Sequence, residues 1–313
     1  MDLPTVKSRA GPRAFGPGDE MPEKYRRAAT RMIQFHANSE IMGAYIERPF
    51  IRQAPSLERK LAVSAQVQDE VGHAQLLYRA AENLGIKTRK EMLDELAAGE
   101  GKFLNCFHYP LDHWYELPMI MFFVDGAAMR RQATLKRTSW EPYAHAIDKI
   151  CFEEGFHIKH GEDILRELAT GSRRDRELLQ QAFEKWWPRI LQFFGPTDDQ
   201  STHNDFAQEV GLKTMSNDDL QDAFLNAYVP KAKKYGLELP EYPRVEYDES
   251  TERYDVSEED LDWDEFFTVA KNEFPTGKAQ IAKRDRSQQA VEWVRDAIES
   301  EMPAGTGATA GAD

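Results

Sequence analysis

Apolar residues recur at helical spacing over long stretches of this chain, and short clusters of Pro, Gly, Ser and Asn separate them. Pro22 suits a first helical turn and no breaker follows until Pro49, which predicts a helix over 22–46. Ser56 is a good N-cap and Gly85 a good stop for a second helix over 57–84. Thr88 and Glu91 form a capping box that opens a shorter helix to about residue 98. Gly99 to Pro110 then reads as an irregular loop. A long apolar helix is expected over 112–136, with Pro118 marking its start or a kink, and another over 140–169, capped by Ser139 and stopped by Gly171. Helices over 174–193 and 216–235 flank a polar loop, TDDQSTHND. Weak alternation over 243–256 predicts a small hairpin, and two helices follow, near 258–272 and 278–300.

The pattern is all-α. Its four long helices, 22–46, 57–84, 112–136 and 140–169, make a four-helix bundle the expected architecture, with additional C-terminal helices. Residues 1–20 read as a flexible arm, 21–240 as the helical domain, 241–302 as a C-terminal extension and 303–313 as a disordered tail.

Composition narrows the function. The chain has 313 residues, 41% of them apolar, which is enough for a substantial core. Its 54 acidic against 40 basic residues give a formal charge of −14, which argues against nucleic acid or an anionic membrane as partner. The two cysteines, Cys106 and Cys151, stand far apart, so zinc ribbons and iron–sulfur clusters are excluded and a reducing compartment is expected. The N-terminus lacks the apolar run of a signal peptide. The most apolar stretch, Leu117 to Met129, is too short to span a bilayer and contains Asp125. A cytoplasmic protein is expected.

The chemistry sits on the four long helices. Glu70-Val71-Gly72-His73 and Glu154-Gly155-Phe156-His157 are both E-x-x-H, which puts two ligating side chains on one helix face about a turn apart. Glu40 precedes Glu70 by 30 residues and Asp125 precedes Glu154 by 29, so the set repeats at spacings of 84 and 85. Some thirty residues carry a chain up one helix and back to a similar height, so Glu40 can face Glu70, and Asp125 can face Glu154. An accidental E-x-x-H in a Glu-rich chain is common, but Asp125 lies in MIMFFVDGAAM, where an ionised carboxylate is costly unless paired or metal-bound. Four carboxylates balance two divalent ions, and mixed oxygen and imidazole ligands suit iron or manganese. Asp69 and Glu153 project from other sides of their helices and are expected in solvent or behind the ligands. His36 is expected to support rather than ligate, and His108, His113, His145, His160 and His203 to be structural.

Glu40, Glu70-x-x-His73, Asp125 and Glu154-x-x-His157 resemble the ferritin-like carboxylate-bridged diiron proteins. The strings HANSEIMG, VQDEVGHAQLLY, VDGAAMRRQ, KICFEEGFH and QFFGPTDDQS are similar to the catalytic A subunits of ring-1,2-phenylacetyl-CoA epoxidases, over about 21–295. That family also carries Asp at the position of Asp125. The resemblance implies a ferritin-like bundle with two iron ions that uses dioxygen to epoxidise the aromatic ring of phenylacetyl-CoA. It implies a flavin and iron–sulfur reductase that brings electrons from NADPH through FAD, a non-catalytic ferritin-like subunit, plus a small bridging subunit. It also implies contacts to CoA from Arg31, Lys102, Lys213 and Asn217. Phe35 stands where the family has glutamine, with Gln34 adjacent, and Phe103 to Asn105 depart from the family pattern. A benzoyl-CoA-type epoxidase and an iron-storage ferroxidase are the competing readings.

Overall fold

The computed structural model describes residues 14–197 and 204–271. α1 (Glu23–Glu47) begins behind Pro22 and buries Ala29, Ile33, Ala37, Met42 and Ile46. The short α2 (Pro49–Gln53) turns the chain into α3 (Leu57–Glu82), whose first turn is capped by Ser56 Oγ accepting from the Arg59 amide at 3.2 Å. Gly85 ends this hairpin at φ +68°, a conformation that favours glycine. α4 (Arg89–Ala97) opens with the expected capping box of Thr88 and Glu91. Hydrogen bonds from α1 to α3 and the turn after it join 26 to 84, 38 to 78 and 47 to 66, so the two helices are antiparallel.

The third long helix departs from expectation. It does not run unbroken from 112. A 3₁₀ turn (Trp114–Glu116) is followed by a π-helical segment (Met119–Val124), and only then by α5 (Asp125–Leu135). Pro118 stands at the head of the π segment. All six π residues are buried, and this wider turn re-aims the chain immediately before Asp125. α6 (Glu141–Thr170) runs back antiparallel to α5. Ser139 does not cap it: Trp140 occupies the N-cap position, and Ser139 instead shares a buried hydrogen bond with Tyr25 at 2.9 Å. α6 also lies antiparallel to α3, tied by Arg59 to Glu167 at one end. The arm is held from Phe15 onward, whose amide donates to the Ser139 carbonyl at 2.8 Å.

α7 (Arg173–Leu191), α8 (Asn204–Glu209) and α9 (Asn217–Lys234) complete the helical domain. Phe123, Phe183, Trp187, Phe224 and Tyr228 form an aromatic core between α7, α9 and the π segment. The expected hairpin is present: β1 (Val245–Asp248) pairs antiparallel with β2 (Arg253–Val256), Val245 opposite Val256. α10 (Trp263–Ala270) docks on the 103–109 loop, where Tyr109 donates to Glu265 at 2.6 Å. Residues 1–13 of the arm, 198–203 of the polar loop with His203, the expected helix near 278–300 and the tail 303–313 lie outside the described residues. Among the described residues, no helix is long and apolar enough to cross a membrane.

Two glycines permit close packing, Gly161 of α6 against the π segment and Gly126 of α5 against α9. A Cβ at Gly161 would stand 2.6 Å from the Met121 backbone, and one at Gly126 would stand 2.2 Å from the Tyr228 ring. Gly126→Ala is therefore expected to destabilise the fold by about 1–3 kcal/mol through overpacking. Denaturant unfolding checks this; an unchanged midpoint contradicts the packing.

Candidate metal centre

Glu40 from α1, Glu70 and His73 from α3, Asp125 from α5, and Glu154 and His157 from α6 meet inside the bundle. All six are at most 7% exposed. Ligand atoms of Glu40, Glu70, His73 and Glu154 lie within 4.8 Å of one another, as do those of Asp125, Glu154 and His157. Glu154 belongs to both groups. Glu70 also reaches the second, its Oε1 lying 3.2 Å from His157 Nδ1.

The two imidazoles have the same orientation. His73 turns Nδ1 inward, 3.3 Å from Glu40 and 3.7 Å from Glu154, and Nε2 outward, 3.1 Å from Glu153. His157 turns Nδ1 toward Glu70 and Glu154, and Nε2 outward, 3.3 Å from Asp69. The outward contacts cross the seam: α6 supplies the carboxylate behind the α3 histidine, and α3 the one behind the α6 histidine. Carboxylates behind imidazoles fix ring orientation and raise ligand basicity. His36 sits one turn before Glu40, 2.8 Å from its Oε1 and 2.8 Å from the Tyr143 hydroxyl.

Electrostatics reflect crowding of like charges in a dry place. Burial, with the charges of Glu40 and Glu154, pushes the Glu70 carboxyl well above its ordinary range. Burial, then Glu154 and Glu47, does the same to Asp125. Burial also acts to raise Glu40, but hydrogen bonds from His36 and His73 outweigh it and hold this carboxyl well below. His157 is raised, its burial overcome by Glu154 and Glu70. His157 Nδ1 and Glu154 Oε2, 3.5 Å apart, nevertheless have no hydrogen-bond partner among the described residues. Inward lone pairs aimed at common points among buried carboxylates suit a pair of divalent cations and leave protons a poor substitute.

Some of the surroundings carried no signal in the sequence. Glu47 is 1% exposed, pushed up to about 8 by burial, and accepts from Gln66 Nε2 at 3.1 Å. Gln66 in turn reaches Asp125 Oδ2 at 3.5 Å. Glu47 lies two helical turns after Glu40 and Gln66 one turn before Glu70, a face periodicity that helps only once the ligand face is known. Cys106 and Cys151 are buried free thiols. His108 stacks on Phe103 with centroids 3.9 Å apart, and burial pushes it down to about 4, so it is a neutral structural histidine.

Glu40, Glu70, Asp125 and Glu154 also line a small cavity of about 60 Å³, walled by Phe35, Leu104, Phe107, Val124, Leu135 and Phe193. A cleft of about 910 Å³ adjoins it, within the range of ligand sites. Arg31, Lys102, Lys213 and Asn217, the four positions expected from the resemblance to contact CoA, all line this cleft. Lys213 is 8% exposed and donates to Asn217 Oδ1 at 2.6 Å, and Asn217 donates to the Pro196 carbonyl. Asn38 donates to the Lys102 carbonyl at 2.9 Å. Phe35 lines both cavities, whereas Gln34 donates to Glu95.

A helical bundle enclosing four carboxylates and two imidazoles on its long helices is the architecture of ferritin-like proteins. The chain belongs to the phenylacetic acid catabolic protein family, whose model matches residues 12–293. It is 36% identical over 285 residues to the A subunit of 1,2-phenylacetyl-CoA epoxidase from Escherichia coli (strain K12), covering 91% of both chains.

Glu70→Ala is expected to abolish loading of both ions while leaving helical content intact, because Glu70 touches both ligand groups. Metal quantitation with circular dichroism checks it; full loading in the variant removes Glu70 from the centre. Because raised carboxyls and His157 hold protons that a cation displaces, metal uptake should release protons and apparent affinity should rise with pH. Titration in a dilute pH indicator measures this, and pH-independent uptake contradicts it.

Proposed function

We propose that this chain is the catalytic subunit of a multicomponent monooxygenase that epoxidises the aromatic ring of phenylacetyl-CoA. One observation carries the reading: a largely apolar cavity lined by the buried carboxylates adjoins a cleft of about 910 Å³ lined by cations. Lys24, Arg27, Arg31, Lys87, Lys102 and Lys213 line that cleft against Glu95 and Glu100, in a chain whose net charge is −14. Such a rim suits the phosphates of CoA. Family membership and the likeness to the A subunit of an epoxidase support the same substrate.

In this reading Glu40, Glu70, His73, Asp125, Glu154 and His157 hold two iron ions. When bound, the ions supply reduction of dioxygen and transfer of one oxygen atom to the ring, the other leaving as water. The protein's own part is geometric and electrostatic. Asp69 and Glu153 fix the histidine rings, and His36 with Tyr143 steadies Glu40. Phe35, Leu104, Phe107 and Phe193 exclude water and grip an apolar ring. A cavity of about 150 Å³ is known to accept benzene; the smaller volume here requires these side chains to rotate as the ring enters.

Electrons come from outside this chain, because its sequence has no flavin motif and too few cysteines for a cluster. The proposal therefore includes a flavin and iron–sulfur reductase drawing on NADPH, together with a non-catalytic ferritin-like subunit plus a small bridging subunit, in the cytoplasm. Reconstitution with reductase, NADPH and phenylacetyl-CoA, with product analysis, tests it; absence of an oxygenated ring product in an iron-loaded complex overturns it. Lys102→Glu should weaken phenylacetyl-CoA binding about tenfold and leave iron content unchanged. Titration calorimetry beside metal quantitation checks this, and an unaltered affinity takes Lys102 out of the site.

A further inference from the structure

The small cavity and the cleft share part of their lining, and this shared wall is the neck between the two spaces. Among the described residues, four line both spaces: Phe35, Leu104, Phe193 and Arg131. Three are apolar, so among the described residues Arg131 is the one polar side chain at the neck. It lies on α5, six residues after Asp125. Arg131 is half-buried, and among the described residues no side-chain hydrogen bond or ion pair engages its guanidinium; Tyr143 is its electrostatic neighbour. The Tyr143 hydroxyl is already committed to His36. Other partly buried arginines of this fold have partners: Arg59 binds Glu167, and Arg189 lies over the Tyr109 ring.

A guanidinium drawn partly out of water, with donors that no described protein group engages, favours an acceptor that can replace the remaining water. The acceptor has to come from whatever fills the neck. Resting on the acyl-CoA reading above, the occupant has its apolar ring among the cavity walls and its phosphates at the cationic rim. Between them, one methylene from the ring, phenylacetyl-CoA carries the thioester carbonyl oxygen. We propose that Arg131 donates a hydrogen bond to that carbonyl oxygen and thereby sets how deeply the ring enters the carboxylate-lined cavity. Arg131 is thus a substrate-positioning residue, distinct from the rim cations that meet phosphate. Anchoring the carbonyl at the neck makes ring depth depend on the number of carbons between ring and thioester.

The test compares three ligands on the full-length, iron-loaded protein by titration calorimetry: phenylacetyl-CoA, the thioether S-(2-phenylethyl)-CoA, which lacks only the carbonyl oxygen, and free CoA. The wild-type protein should prefer the thioester to the thioether by about ten- to a hundredfold, the range for a hydrogen bond to a charged group. Arg131→Met should abolish that preference while thioether and CoA affinities, iron content and helicity hold. Arg131→Lys should restore part of it. A wild-type protein that binds thioester and thioether alike, or a Met variant that keeps the preference or loses all three ligands equally, overturns the assignment. Failure of the wild-type protein to bind any of the three sinks the acyl-CoA reading, and the role of Arg131 with it.

Discussion

Four carboxylates and two imidazoles lie out of water where α1, α3, α5 and α6 run side by side, and the rest of the structure answers to that burden. Removing like charges from water costs several kcal/mol each unless opposite charge or hydrogen bonds replace it. The protein replaces only part. It surrounds the cluster with Gln66, His36, Tyr143, Asp69 and Glu153, but among the described residues leaves inward atoms of His157 and Glu154 without a hydrogen-bond partner. A pair of cations would supply the missing charge. The long helices and the close packing at Gly126 and Gly161 keep the groups from swinging out to solvent in the meantime.

Polarity falls and then rises along one path through the molecule. Among the described residues, the cleft rim is cationic, the neck is apolar apart from Arg131, the cavity wall is mostly apolar with His36, Ser39 and Gln132 interleaved, and the floor is a group of carboxylates. A ligand that matches this order has an anionic end, a polar atom near its middle and an apolar tip. The order also keeps water from a centre whose electrostatics strengthen as it dries.

Most of this was legible in the sequence because helix caps and ligand spacing are local properties. Ser56, Thr88 with Glu91, and Ser216 opened their helices as expected, and the repeat of 84 to 85 residues brought the six side chains to one level. The π segment was not legible. Its residues are uniformly apolar, so the sequence shows no period there, and the extra residue in the turn is a matter of packing against α6 and Pro118. Ser139 failed as a cap for a related reason: its hydroxyl found Tyr25, 114 residues away in sequence. Arg131, Glu47 and Gln66 escaped notice because an Arg, a Glu or a Gln on a helix is ordinarily solvated. Only the tertiary arrangement shows that these three face inward.

The crossed carboxylates have a mechanical meaning. Each of the two E-x-x-H helices steadies the other's imidazole, so neither half of the centre is self-contained. Sliding α3 along α6 by even one helical rise would mistune both histidines together. The internal duplication visible in the sequence has therefore become an interlock, in which neither copy can drift without disabling its twin.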